Sequence, residues 1–370
     1  MGIAILILFL AAAVALFVYY VLQNGNPFAA GPSAAPATAS PSATPEPTDD
    51  APTPTLIIES PTPSDPIVLS GMRAVYLPDL TDTAAVDAAV ALAKAGQIDA
   101  VACDMKREDG TLAFRSDVSA ARTAEASADA SPVGAIEKLQ GANLRLIARV
   151  SAFRDDLAPR KVQVMSVKVE SGVIWLDQNY HAWLNPYSNT ARKYLIDLSL
   201  ELADLGFDEI LLTNLCFPTK GKPGLIVYGA DEPEKPEAIL SFVEELKDAL
   251  APSGTSVSAT LAPEAFSTGL FVSGGQNFAE LYTACDSVYA AMPASNPQTV
   301  LDGLLELLFG EDELPEGDAI RLVPIVTPPR AYTDPRAGEQ ISVAVGAAGG
   351  DLGLSCLVVD ESGRYPDIWE

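Results

Sequence analysis

From residue 71 onward, short apolar runs alternate with longer segments in which apolar residues recur every three or four positions. A continuous apolar run is typical of a strand buried on both faces, as in a parallel sheet covered by helices. Eight runs are predicted strands: Ala74–Leu77, Ala100–Cys103, Leu144–Val150, Ile210–Leu215, Val257–Leu261, Val288–Met292, Leu322–Val326 and Leu354–Val359.

The segments between these runs have recognisable helix ends. Ser188 or Asn189 can cap a helix that Gly206 ends. Pro236 and Pro297 each open another helix, because proline is tolerated in the first turn. Strand and helix alternating about eight times predict the α/β class, with a (β/α)8 TIM barrel over residues 71–370. A doubly wound open sheet is the alternative, but it normally has a glycine-rich loop after its first strand, and 76–79 (YLPD) contains no glycine.

The N-terminal region divides into two segments. Ile3–Leu22 is uninterrupted by charge, and about twenty apolar residues match a hydrocarbon core of roughly 30 Å. We therefore expect residues 1–23 to be a transmembrane signal-anchor. Cleavage near 29–31 (AAG) is the alternative, but the run is longer than a usual signal region and lacks a basic start.

Residues 24–70 are rich in proline, alanine, serine and threonine, which predicts a disordered, semi-stiff linker. The first basic residue of the chain is Arg73, so no positive charge holds this flank inside the cell. We expect a single-pass protein of the cell membrane, attached through the N-terminal helix, with its folded domain extracytoplasmic.

Composition excludes several classes of function. The chain of 370 residues has 49 acidic and 23 basic residues, a net charge of −26, which argues against nucleic acid as a partner. Four cysteines without close pairing and a single histidine, His181, favour neither a disulfide framework nor a zinc site. Scattered carboxylates such as Glu108 and Asp109 are usually solvated, so we predict no metal, and no motif indicates an organic cofactor.

Candidate site residues lie where a barrel places its chemistry, after the carboxyl ends of the strands. The long connection 151–189 is also rich in aromatic and amide side chains, which suit the C–H faces and hydroxyls of sugars. Aromatic rings that merely plug the rim are the alternative. The predicted substrate contacts are Lys106, Arg149, Trp175, Trp183, Asn185, Tyr187 and Asn214.

Several segments together resemble a known family. They are 98–110 (IDAVACDMKREDG), 146–150 (LIARV), 182–188 (AWLNPYS), 205–210 (LGFDEI) and the pair 217–218 (FP). In this order they resemble the glycoside hydrolase barrels of bacterial envelopes, distant relatives of the α-amylase-type barrels. The resemblance implies a TIM barrel that acts on, or binds, a polysaccharide or cell-wall glycan.

The sequence departs from that family at two strand ends. The family's strand 4 ends FDYVRFP, whereas 212–218 reads LTNLCFP, so Thr213 and Cys216 replace a carboxylate and an arginine. Thr260 similarly replaces an aspartate after strand 5. Glycoside hydrolysis ordinarily needs two carboxyl groups, and the remaining candidates are Asp104 as nucleophile or base and Glu264 as general acid.

Three hypotheses follow from these residues. The first is an active glycosidase, and the second is a catalytically inactive barrel that binds glycan or a partner protein. The third is a purely structural domain whose mouth is filled by side chains. An open rim that carries acidic and aromatic groups would exclude the third hypothesis.

Overall fold

The computed structural model describes residues 71–229, 232–310, 314–315, 320–328, 337–361, 363 and 365. The predicted anchor (1–23) and linker (24–70) lie outside the described residues. Within the described part of the chain, no helix has the length and apolar character needed to cross a membrane.

Ten strands are described: β1 Arg73–Leu77, β2 Ala100–Lys106, β3 Arg145–Ser151, β4 Glu209–Thr213, β5 Ser256–Leu261, β6 Leu270–Phe271, β7 Gln276–Asn277, β8 Ser287–Ala291, β9 Leu322–Val326 and β10 Cys356–Val358. Eight of them form a closed parallel barrel in the order β1-β10-β9-β8-β5-β4-β3-β2, and β6 pairs with β7 as an antiparallel hairpin. The predicted (β/α)8 barrel is confirmed.

The described helices are α1 Thr83–Lys94, α2 Ser119–Ala124, α3 Val133–Gln140, α4 Ala158–Lys161, α5 Asn189–Asp204, α6 Lys235–Leu250, α7 Phe278–Ala284, α8 Pro297–Phe309 and α9 Ala337–Ala347. Helix α5 begins as the sequence predicts, with the Ser188 side chain accepting a hydrogen bond from the Ala191 N–H. Proline lies in the first turn of both α6 and α8.

Two apolar layers hold the barrel together. The outer layer packs the strands against the helices, and this continuous burial explains why the strands have no polar alternation. The inner layer fills the lumen with Met72, Ala74, Tyr76, Ala100, Ala102, Ile147, Leu211, Tyr289, Val323 and Leu357. The barrel is therefore a packed core rather than a pore, and a ligand can enter only at its ends.

Polar groups close the amino-terminal end of the lumen. Glu209 is buried there, and its carboxylate accepts hydrogen bonds from the Tyr289 hydroxyl at 2.9 Å and from Arg145 Nε at 3.2 Å. Arg145 also donates to the Ser256 hydroxyl at 3.0 Å. Because these groups pair with one another, they are satisfied within the fold, and the opposite end of the barrel is the one that remains open.

Candidate carbohydrate site

A cleft of about 490 Å³ lies at the carboxyl end of the barrel. Its lining combines the ends of the strands with the loops that follow them. The contributions from the strand ends and the residue after β10 are Arg149, Thr213, Thr260, Ala291, Ile325 and Val359. This open mouth excludes the hypothesis of a domain whose rim is filled by side chains.

The walls of the cleft come mainly from three connections. The loop after β3 supplies Arg154, Asp177, Gln178, Asn179 and Trp183, and the loop after β4 supplies Asn214, Leu215, Cys216, Thr219 and Lys220. The loop after β5 supplies Ala262, Pro263 and Glu264, together with Phe271 and Gln276 from the β6–β7 hairpin. The cleft thus has an aromatic and polar lining of the kind that binds sugars.

Asp104 lies near the end of β2, and its carboxylate is held by side chains from the two neighbouring barrel strands. Its Oδ2 accepts a hydrogen bond from the Tyr76 hydroxyl at 2.6 Å, and its Oδ1 lies 3.0 Å from Arg149 Nη1. The Arg149 guanidinium also lies over the Tyr76 ring, 4.7 Å from its centroid. Burial, and then the hydrogen bond to Asp104, raises the pKa of Tyr76 far above its ordinary value, so this hydroxyl remains a donor. Of the three residues, Arg149 lines the cleft.

Arg154 connects two rims of the cleft. It forms an ion pair with Glu108, whose other carboxylate oxygen accepts a hydrogen bond from the Asn214 amide at 3.1 Å. Arg154 Nη2 lies 3.1 Å from His181 Nδ1, which accepts this hydrogen bond when the ring is neutral. The ring of the only histidine therefore faces a guanidinium, and among the described residues it hydrogen-bonds to no carboxylate that could orient it as a general base.

Asp177 fixes the position of Trp183 in the cleft wall. One carboxylate oxygen accepts the Trp183 indole N–H at 3.1 Å, and the other accepts the backbone N–H groups of Asn179 and His181 at 2.8 and 3.0 Å. Burial raises the pKa of Asp177, but these hydrogen bonds outweigh burial and leave the pKa below its ordinary value. Asp177 is therefore an ionised acceptor at neutral pH and cannot serve as a general acid.

Glu264 and Cys216 both line the cleft, but they differ in chemical reactivity. Glu264 is exposed in the turn after β5 and makes no hydrogen bond or ion pair among the described residues. Burial, and then the Glu264 charge, raises the pKa of the Cys216 thiol to about 12. The thiol is therefore protonated at neutral pH and is a poor nucleophile.

Thr213 and Thr260 occupy equivalent positions on neighbouring strands. The register pairs Leu212 with Ala259, so the two threonines that follow lie side by side at the strand ends. The Thr260 hydroxyl is buried and has no partner among the described residues. Gln276 links the loops next to Thr260. Its side-chain amide donates to the Leu215 and Thr260 carbonyls and accepts a hydrogen bond from the Ala262 N–H. Hydroxyl groups therefore stand at the two strand ends where the family resemblance leads us to expect carboxylates.

The structure brings only some of the predicted contacts into the cleft. Four of them line it: Arg149, Trp183, Asn214 and Glu264. Asp104 is not itself in the lining, but it pairs with Arg149, which is. Lys106 differs from the expectation that it contacts substrate: its side chain is 1% exposed and pairs with Asp155 at 3.0 Å.

Three further candidates for substrate contact instead make contacts with other loop residues. The Trp175 ring is buried and its indole N–H donates to the Lys222 carbonyl at 3.0 Å. Asn185 accepts a hydrogen bond from the backbone N–H of Tyr187 at 3.1 Å. The Tyr187 ring packs on Phe217, 4.9 Å between centroids. These side chains shape the loop rather than line the cleft.

Sequence reasoning did not select several lining residues, among them Gln178, Asn179, Lys220, Phe271 and Gln276. They lie in loops or in the short β6–β7 hairpin, where no hydrophobic period indicates the direction of a side chain. Among the described residues, no group of three histidine, cysteine or acidic side chains is placed to hold a metal, and all four cysteines are free.

Comparison with known proteins identifies the type of domain. Residues 74–296 match the family model DUF4015, described as "Putative glycosyl hydrolase domain". No curated protein sequence matches the chain.

The solved structures that are similar to this chain include the following three. A hypothetical protein from Ruminiclostridium thermocellum ATCC 27405 is 28% identical over 50% of this chain and 96% of its own, with a TM-score of 0.46. The glycoside hydrolase domain of PgaB (BpsB) from Bordetella bronchiseptica is 14% identical over 81% and 97%, with a TM-score of 0.54. The α-galactosidase AgaA from Geobacillus stearothermophilus is 12% identical over 80% and 40%, with a TM-score of 0.50. At these identities, the latter two show a shared fold alone.

Proposed function

The chain belongs to the DUF4015 family of glycosyl hydrolase domains, and from this premise we propose that its barrel binds an envelope polysaccharide in the cleft without two-carboxylate hydrolysis. The observation that carries the proposal is the contrast between the lining and the strand ends. The lining keeps Trp183, Phe271 and several polar groups, whereas the neighbouring strand ends carry Thr213 and Thr260.

The remaining carboxylates are poorly suited to catalysis. Glycoside hydrolysis uses one carboxyl as acid and a second as nucleophile or base, placed on either side of the scissile bond. Both oxygens of Asp104 are already engaged, by Tyr76 and Arg149. A threonine hydroxyl would need an activating base, and His181 faces Arg154 instead. Binding therefore needs no rearrangement of these groups, whereas hydrolysis would.

One observation favours hydrolysis as a second candidate. Asp104 is oriented at the end of β2 by two partners, and Glu264 is free in the same mouth, so the two carboxyls could act on a sugar bound between them. In that case Glu264 would be the general acid and Asp104 the nucleophile or base.

The test is to measure binding and bond cleavage on the same protein. The full-length chain in detergent is titrated calorimetrically with polymers of N-acetylglucosamine, galactosamine and glucose and with cell-wall glycan, and released reducing ends are counted. We expect binding that Glu264→Gln weakens, while Glu137→Gln, an exposed change on α3, leaves it unaltered. Reducing ends that disappear in Asp104→Asn and Glu264→Gln would establish hydrolysis instead. No binding to any polymer would refute the proposal.

We further propose that the domain is held outside the cytoplasmic membrane by residues 1–23, with 24–70 as a spacer. The apolar run Ile3–Leu22 and the absence of basic residues before Arg73 support this placement. Protease added to intact cells should remove the barrel while a small membrane fragment persists after carbonate washing. Release of the whole protein by carbonate, or protection from protease in intact cells, would contradict this placement.

A further inference from the structure

The outer wall of the cleft ends in a tight turn at residues 177–181. The Asp177 N–H donates to the His181 carbonyl at 2.9 Å, and the Tyr180 N–H donates to the Asp177 carbonyl at 3.0 Å. The Asp177 carboxylate accepts two further backbone N–H groups from within the same turn. The turn is therefore closed by several hydrogen bonds and is rigid for a surface loop.

Tyr180 adopts an unfavourable backbone conformation in this turn. Its φ is +64°, in the left-handed region that glycine or asparagine normally occupies. Arg160 holds it there by donating to the Tyr180 carbonyl at 2.6 Å while pairing with Asp156. Asp156 in turn accepts the Ala182 N–H at 2.7 Å. A strained residue held by so many contacts is a reason to look for a function.

The Tyr180 side chain takes no part in holding the turn. It is 77% exposed, more than any other large apolar or aromatic side chain of the described residues. Its hydroxyl has no hydrogen-bond partner within the described part of the chain. The fold thus presents an aromatic ring to solvent at a position where a smaller residue would be less strained.

The neighbours of Tyr180 supply the polar part of a sugar site. Gln178 and Asn179 line the cleft, are exposed, and make no side-chain hydrogen bond with other described residues. Trp183, also in the lining, is only three residues from Tyr180, so their Cα atoms are at most about 11 Å apart. The sugar ring needs an apolar face for its C–H groups and amides for its hydroxyls, and this turn has both.

We infer that Tyr180, with Gln178 and Asn179, forms an outer subsite that binds sugar units extending beyond the cleft. The inference rests on the proposed function and makes it more specific: the ligand is a chain of several sugars that continues out of the mouth past Tyr180. A monosaccharide or disaccharide held near Trp183 and Glu264 would not reach this subsite.

The test compares ligand lengths in variants that separate the ring from the backbone. Tyr180→Asn removes the ring but suits the left-handed conformation, and Tyr180→Phe keeps the ring. The full-length chain is titrated with disaccharides and hexasaccharides of N-acetylglucosamine, galactosamine and glucose. For the series that binds, we expect Tyr180→Asn to weaken hexasaccharide binding about tenfold and to leave disaccharide binding unchanged. Tyr180→Phe should bind both ligands like the wild type.

Three results would overturn the inference, and they can be told apart. If Tyr180→Asn binds the hexasaccharide as tightly as the wild type does, the outer subsite is absent although binding in the cleft stands. If the wild type binds no oligosaccharide at all, the proposed function fails and the subsite fails with it. A loss of disaccharide binding in Tyr180→Asn would show that the substitution disturbs the cleft itself, and it too would contradict a separate subsite.

Discussion

Replacement of Lys106 by methionine should destabilise the barrel strongly while leaving its surface unchanged. The Lys106 and Asp155 side chains are 1% and 0% exposed, and Nζ lies 3.0 Å from Oδ2. Lys106 also donates to the Ser151 carbonyl at 2.8 Å. Asp155 accepts two backbone N–H groups at 2.9 Å, which hold the start of α4. Methionine keeps the length of the four-atom stem and deletes the ammonium group, and with it both the charge and the hydrogen bond to Ser151.

The expected magnitude follows from the uncompensated charge that remains. Removing one partner of a buried ion pair costs about 3–5 kcal/mol, because the other charge stays buried without its counterion. Asp155→Asn should cost a similar amount, since it leaves the ammonium without its carboxylate. The double variant should cost less than the sum of the two single variants by about 2 kcal/mol, because neither charge then remains.

Urea unfolding of the full-length chain, followed by tryptophan fluorescence, measures these free energies. Trp175 and Trp183 report directly, since both lie in the connection that follows Ser151. Lys193→Met is the matched control: Lys193 is 73% exposed and pairs with Asp197 on the same helix, so it should change the free energy of unfolding by less than about 0.5 kcal/mol. A cost below about 1 kcal/mol for Lys106→Met, or strictly additive single variants, would refute this account.

Three further predictions concern the cleft. Because hydrogen bonds lower the pKa of Asp177, its contribution to stability is present above the ordinary carboxyl range and is lost as pH falls through the lowered value. Tryptophan fluorescence should therefore stay constant from pH 7 to about 5. A transition in that interval would contradict this prediction. Gln276→Ala should cost about 2–3 kcal/mol in urea unfolding, since it removes the side-chain partner of three backbone groups; a cost near zero would show that water replaces the amide. Iodoacetamide at pH 8 should spare Cys216 in the native protein and modify it in urea, because its raised pKa reduces the thiolate roughly a thousandfold; rapid modification of the native protein would refute the raised pKa.

The barrel was predictable because its strands obey a simple rule. Burial on both faces produces continuous apolar runs, and all eight predicted runs overlap barrel strands. The differences at the ends have local causes. β2 continues through Asp104 to Lys106, whose charge is compensated by Asp155 inside the protein, an interaction that no local pattern reveals. β4 ends at Thr213 instead of Leu215, and the next residue, Asn214, has a φ of +48°.

The candidate site was predictable where it depends on the strands and less so where it depends on the loops. The rule that strand ends face the mouth selected Arg149, Asn214 and Glu264, which line the cleft. The same rule selected Lys106, whose long side chain instead lies buried against Asp155. In the loop after β3, hydrogen bonding decides the direction of the side chains: the Trp175 indole donates to the Lys222 carbonyl in the loop after β4, whereas the Trp183 indole donates to Asp177 in the wall.

The charges that line the cleft are largely compensated before any ligand arrives. Arg149 pairs with Asp104, Arg154 pairs with Glu108, and three N–H groups hold the Asp177 carboxylate. The lining charges with neither an ion pair nor a side-chain hydrogen bond among the described residues, Lys220 and Glu264, are of opposite sign. A neutral sugar chain therefore meets little net field and needs to break few ion pairs, whereas a polyanion would be repelled by a chain whose net charge is −26. Selection in such a cleft depends on the fit of sugar faces to rings and of hydroxyls to amides, and weakly on ionic strength.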